Sequence, residues 1–322
     1  SPARISAEIF YNRADIFRTA FRAYLLLGFL LLVVATNSNT RRKKALLQTT
    51  SKRRRWLPRL LTGLIVAVFL WQCAGLGLRW YISGRAPWTN AYESMVYVAW
   101  ATVLSGIVFA RRSKLALALA ALLGGVVLFV SNLNWLEPQI TPLVPVLKSY
   151  WLMIHVSVIT ASYGFFGICA ACGIASLIAT IAGKNLAELR IINEMAMLVG
   201  LVLLTTGIFF GAVWANESWG RYWGWDPKET WALITMIVYA VTTHLHFIPR
   251  LNTNPLVFDV MSVVGFSTVL MTFFGVNYYL SGLHSYGKSE GFSPEIVLAA
   301  GAGVLVLVAV AAVRYHKNKK TS

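Results

Sequence analysis

Long apolar runs alternate with short polar breaks along the whole chain. Nine runs approach or exceed the roughly 20 residues a helix needs to cross a hydrocarbon core. They lie near 19–37, 58–78, 91–110, 115–133, 150–182, 196–214, 231–248, 257–280 and 294–313. The run at 150–182 is too long for one upright crossing, so it is expected to tilt or extend into water. The pattern predicts an all-α, polytopic membrane helix bundle of about nine transmembrane helices.

Composition agrees and adds an orientation. Apolar residues are 57% of the 322 positions and charged residues 13%, against about 25% charged in a soluble domain. The charge that remains is basic, 29 Lys+Arg to 12 Asp+Glu. Such a surplus can signal nucleic acid, but its placement excludes that partner. It gathers at "RRKK" (41–44), "KRRR" (52–55), "RRSK" (111–114) and "RYHKNKK" (314–320), each beside an apolar run. That is the positive-inside pattern. The loops at 41–58, 111–114, 184–195 and 249–256 are then cytoplasmic, and those at 79–90, 134–149, 215–230 and 281–293 lie opposite. The opening "SPARISAEIFYNRADIFR" falls on the opposite side too, and reads as the end of an extracytoplasmic region of a longer parent chain. Cys169 and Cys172 have the spacing of a redox motif, yet they lie inside an apolar run. Burial raises a thiol's pKa and leaves it unreactive, so packing is their expected role.

The chemistry concentrates in one polar break, "WGRYWGWDPKETW", from Trp219 to Trp231. Its end is a helix start: Asp226 as N-cap, Pro227 at the first helical position, and Glu229 reaching back. "NAYES" repeats the arrangement with Asn90 and Glu93. Capping accounts for Asp226 and Glu229 but not for Trp219, Trp223, Trp225 and Trp231, with Trp214 and Tyr222 nearby. An aromatic belt at the membrane surface is one reading. The other is a flat apolar platform for a planar ligand with polar edges, its carboxylates met by Arg221 and Lys228.

The histidines favour the platform. His155, near the start of its run, and His284, just past the end of another, fall on the same side as the tryptophans. Two imidazoles beside an aromatic shelf suit the axial ligation of haem iron. His244 lies some 26 Å along its helix from Pro227 at 1.5 Å per residue, at the far side of the membrane. An ionisable residue at that depth is a functional candidate. His246 points the other way on the same helix, so at most one of the two faces a bundle interior.

"WGRYWGWDPKETWA", a His one helix later, and "FGVNYYLSGLHSYG" together resemble the haem-handling, WWD-domain family of cytochrome c maturation proteins, of the CcsA type. "WLMIHVSVITASYG" and "APWTNAYES" extend the match to about residues 58–313. Residues 1–57 then form the end of a preceding region with a first transmembrane helix and a basic loop, and 314–322 a basic cytoplasmic tail.

The resemblance implies an extracytoplasmic WWD loop that binds haem b, held as reduced iron, between axial His155 and His284. Its haem-binding residues would be Trp219, Arg221, Tyr222, Trp223, Trp225, Asp226 and Trp231. A deeper inner site maps to His244, with His246 as the fallback. The implied activity is that of a System II holocytochrome c synthase, which joins haem by thioether bonds to the CXXCH cysteines of apocytochrome c. A non-catalytic haem carrier handing its cargo to a separate chaperone is the alternative. In fused synthases a CcsB-like half completes the inner site, and residues 1–57 contain no His. The implied location is a bacterial inner membrane with the haem site facing the periplasm, or a photosynthetic membrane.

Overall fold

The computed structural model describes residues 2–44, 56–133, 136–140, 148–184, 186–252, 254–280, 282–284 and 294–321. The "KRRR" cluster and much of the loops at 134–149 and 281–293 lie outside them. Among the described residues the regular structure is helical, without strands. The helices are α1 (Pro2–Ala14), α2 (Ile16–Lys44), α3 (Trp56–Ser83), α4 (Ala91–Phe109), α5 (Lys114–Ser131), α6 (Tyr150–Ile181), α7 (Ala187–Trp219), α8 (Pro227–His244), α9 (Pro249–Asn252), α10 (Pro255–Leu270), α11 (Val276–Tyr279) and α12 (Pro294–Thr321). A 3₁₀ turn (Leu245–Phe247) follows α8, and a π turn (Met271–Gly275) joins α10 to α11. Nine stretches of described helix are long and apolar enough to cross a membrane, as the pattern of apolar runs predicts.

Two compact units divide the chain at Gly164 and Phe165, within the continuous helix α6. In the first unit α2 packs on α3 and α5, and α4 packs on α5. Small side chains let these helices approach, because tails of lipid and of leucine are equally apolar and close packing must supply the attraction. A Cβ on Gly106 would overlap that of Ala120, and one on Gly28 would come to 3.0 Å from Leu122. Polar groups inside are paired: Tyr24 Oη donates to Gln72 Oε1 at 3.0 Å, and Gln72 Nε2 to Val96 O at 3.1 Å. Where α4 begins, Asn90 and Glu93 form the expected capping box. Buried Glu93 also accepts from Arg79 Nε at 2.9 Å and Arg85 Nη1 at 2.8 Å.

In the second unit α8 packs between α7 and α10, and α12 lies on α10. Leu177, Leu256, Val263 and Ala311 form a shared core there. Helix α7 is longer than its apolar run. Residues 187–195, expected in a loop, are its first turns, because Arg190 and Asn193 find partners in Asp259 and Ser262 of α10 at 3.0 and 2.9 Å.

Candidate haem-ligand site at the tryptophan loop

Helix α7 also extends past its expected end. It stops at Gly220, whose φ of 71° is left-handed and whose N–H donates to Asn216 O. Glycine takes that conformation without steric cost, which is why it commonly ends helices. Trp214 and Trp219 therefore sit on the last turns of α7, and the loop proper begins after them. Helix α8 opens as predicted. Asp226 Oδ1 accepts from Lys228 N at 3.0 Å, while Glu229 Oε2 accepts from Asp226 N at 3.1 Å and Gly224 N at 2.8 Å.

Capping is only part of what Asp226 does. Its Oδ2 accepts the Leu283 N–H at 2.7 Å, and its Oδ1 lies 2.9 Å from His284 Nδ1. The approach requires glycine at 282, since a Cβ there would overlap Oδ2. Lys228 Nζ donates to the His284 carbonyl at 3.1 Å, so this lysine secures the histidine segment. The His284 ring stands edge-on to two indoles, its centroid 5.3 Å from that of Trp214 and 4.9 Å from that of Trp219. Trp214 is fully buried.

This packing fixes more than position. A carboxylate accepts only, so with neutral imidazole the proton lies on Nδ1 and the Nε2 lone pair is available to a metal. Burial works to raise the Asp226 pKa, but the hydrogen bond and charge of His284, with the N–H groups of Lys228 and Leu283, outweigh it and hold the carboxyl at about 2.

The flat aromatic shelf expected from sequence is not what forms. Trp223 and Trp225 meet at 90° with centroids 5.8 Å apart, and Trp214 and Trp219 at 63°. The loop turns sharply, and successive rings project in different directions. Trp225 has a φ of 57°, uncommon for a bulky residue, and stands 68% exposed. Tyr222 is also exposed and Trp231 half-buried. Arg221 lies over the Trp219 ring at 5.9 Å, with Nη1 3.8 Å from Glu229 Oε1.

The other histidines are placed as follows. His155 is half-buried near the start of α6, in the first unit, whereas His284 belongs to the second. His244 ends α8, and His246 sits in the 3₁₀ turn beyond it. The two are not on one regular helix, and neither faces a bundle interior: both are exposed. His244 Nδ1 lies 2.7 Å from Ala240 O, which leaves its Nε2 outward. Sequence reasoning counted Trp214 only with the tryptophan cluster and assigned no role to Gly282 or the backbone at His284. The glycine two positions before the histidine in "GLHSYG" was the available signal.

The model for "Cytochrome C assembly protein" matches residues 88–284, from the aromatic loop before α4 through His284. The chain belongs to that family. Similar proteins include NrfI of Wolinella succinogenes, 42% identical over 298 residues. That match covers 90% of this chain but 32% of NrfI, so the chain spans about a third of that relative's length. The cytochrome c biogenesis protein CcsA of Guillardia theta is 36% identical, with 66% of this chain and 80% of that protein covered. CcsA of Synechococcus sp. (strain CC9902) is 35% identical, with 71% and 87% covered. The Asp226–His284 pair lies within the matched region.

Proposed function

We propose that this cytochrome c assembly protein holds reduced haem b as a substrate beside its tryptophan loop and acts in its covalent attachment to apocytochrome c. One observation carries the reading. His284 is buttressed at its ring by Asp226 and at its carbonyl by Lys228, an arrangement that would leave Nε2 for iron. A histidine serving only to fill space needs no such supports, whereas metal-ligating histidines almost always have a hydrogen-bonded second nitrogen. His155 is the proposed second axial ligand. Trp223, Trp225 and Tyr222 would cover the porphyrin, and Arg221 would meet a propionate.

The chain's contribution is positioning. Each cysteine S–H adds across a vinyl double bond: a C–S bond forms at one vinyl carbon and the proton ends on the other, without net oxidation. Holding the reacting groups in place can lower such a barrier by about 7–11 kcal/mol. The CXXCH histidine of the apocytochrome would displace one axial imidazole, which orients the vinyl groups and loosens the product. His244, or His246, would belong to an inner loading site completed by a CcsB-like partner, with the tryptophan loop on the periplasmic side.

The test uses the complete membrane complex, expressed with an apocytochrome c. His155→Ala and His284→Ala are expected to lower haem occupancy and covalent product, and added imidazole to restore part of both. Unchanged haem content in both variants rejects the ligand assignment. Bound haem without covalent haem on a denaturing gel, in the unmodified complex, assigns the carrier role instead.

A further inference from the structure

Below the tryptophan loop, the second unit buries polar side chains that haem ligation leaves unused. Arg190 and Asn193, one turn apart on α7, meet Asp259 and Ser262, one turn apart on α10. Arg190 Nη2 donates to Asp259 Oδ2 at 3.0 Å, and Asn193 Nδ2 to Ser262 Oγ at 2.9 Å. Helix α6 closes over this ladder, so near that a Cβ on Gly173 would lie 2.8 Å from Asp259 O. It brings two thiols. Cys169 Sγ donates to Asn193 O at 3.5 Å, and Cys172 lies within electrostatic reach of Asp259.

From the ladder the polar groups continue toward the tryptophan loop. Tyr239 of α8 lies within reach of Cys169 and stacks on Phe166 with ring centroids 3.7 Å apart. One turn away, Thr235 Oγ1 is 3.2 Å from Thr272 Oγ1, in the π turn, a distortion frequent at functional sites. From Asp259 to Thr272 the helix advances about 20 Å at 1.5 Å per residue, a large part of a bilayer's hydrocarbon thickness of about 30 Å.

Among the described residues, three atoms of this track have no hydrogen-bond partner: Asn193 Oδ1, Asp259 Oδ1 and Tyr239 Oη. Their residues are at most 1% exposed. Swapping the Asn193 amide does not help. Ser262 gives its own proton to Phe258 O at 2.8 Å, so it can only accept from Nδ2, and Oδ1 stays open. Asp259, paired with a guanidinium, is likewise an acceptor. Two open acceptors and one hydroxyl need a ligand that donates at least twice and accepts as well. Water is the smallest molecule that does so.

We propose that the second unit binds a file of water molecules along this track, entered beside Arg190. The Arg190 side chain is 23% exposed and provides the mouth, while the buried acceptors hold the water inside. The inference is independent of haem binding.

Pulsed X-ray radiolysis of the full chain in lipid nanodiscs tests it, with mass spectrometry of the oxidised products. Hydroxyl radicals formed from bound water react where they arise. Tyr239, Cys169 and Cys172 are expected to be oxidised at rates comparable to exposed Tyr222. Oxidation of Tyr222 with all three left unmodified overturns the proposal. Asn193→Leu removes an acceptor and fills space, so it should abolish labelling at Cys169 and Tyr239 and spare Tyr222. Retained labelling in that variant is equally fatal. If Asn193→Leu does not accumulate as folded protein, Tyr239→Phe makes the same comparison at Cys169.

Discussion

Asp226 Oδ1 and His284 Nδ1 lie 2.9 Å apart, although 58 residues of chain separate them. The same carboxylate caps α8 and accepts the Leu283 N–H. One side chain therefore couples the start of a helix to the orientation of an imidazole. The helix cap and the position of the imidazole rest on one carboxylate.

Asp226→Ala removes the cap and the histidine's acceptor together, while Asp226→Asn keeps a carbonyl that can serve both. Loss of a carboxylate behind a ligating histidine typically lowers metal affinity by about 10–100-fold. The alanine variant is expected to lose haem by that factor in titrations followed by the Soret band, and the asparagine variant by much less. Equal losses would mean that charge, not orientation, is the contribution. No loss in either would remove Asp226 from the site.

Trp225 separates fold from function. A left-handed backbone costs a residue with a Cβ roughly 1–2 kcal/mol, and an indole that is 68% exposed recovers little of it by burial. Strain of this kind tends to persist where function requires it. Trp225→Gly should leave the thermal midpoint unchanged or slightly raised and reduce haem retention. A marked fall in thermal stability would show instead that the indole serves packing.

Features set by neighbouring residues were legible in the sequence. Apolar runs placed nine crossings, and the Asn90/Glu93 and Asp226/Glu229 spacings placed two capping boxes, because each depends on contacts within a turn. What required distant partners was hidden. The polar first turns of α7 read as loop, since nothing in residues 187–195 reveals that Asp259 and Ser262 wait on α10. From its spacing alone Asp226 was accounted for by its cap, which masked its bond to His284. The shelf was misjudged because a count of indoles carries no information about the angles between them.

The Asp226 carboxyl sets a pH window. Folding lowers its pKa from the usual 3.8 to about 2, so the group's stabilisation is complete above 3.8 and is lost as pH falls through about 2. The shift corresponds to about 2 kcal/mol. Tryptophan fluorescence should report the loss, because Trp214 and Trp219 both pack on His284. Asp226→Asn is expected to lack the transition in this interval. An identical acid profile for both proteins would locate the titration elsewhere.

At the start of α4 the same physics acts on the fold. Arg79 and Glu93 are each about 1% exposed, and Arg79 also donates to Pro138 O at 2.8 Å and to Tyr11 Oη at 3.3 Å. Glu93→Ala strands that guanidinium in an apolar interior, which costs about 3–5 kcal/mol when one partner of a buried pair is removed. Arg85, at 15% side-chain exposure, can turn to water and suffers less. Replacing both charges, as in Arg79→Met with Glu93→Leu, removes the unpaired ion and should restore much of the stability. Restoration stays partial because Tyr11 and the Pro138 carbonyl lose their donor. Denaturant titration of the two variants gives the comparison. A double variant less stable than Glu93→Ala would mean that Arg79's contacts with Tyr11 and residue 138 outweigh its pairing with Glu93.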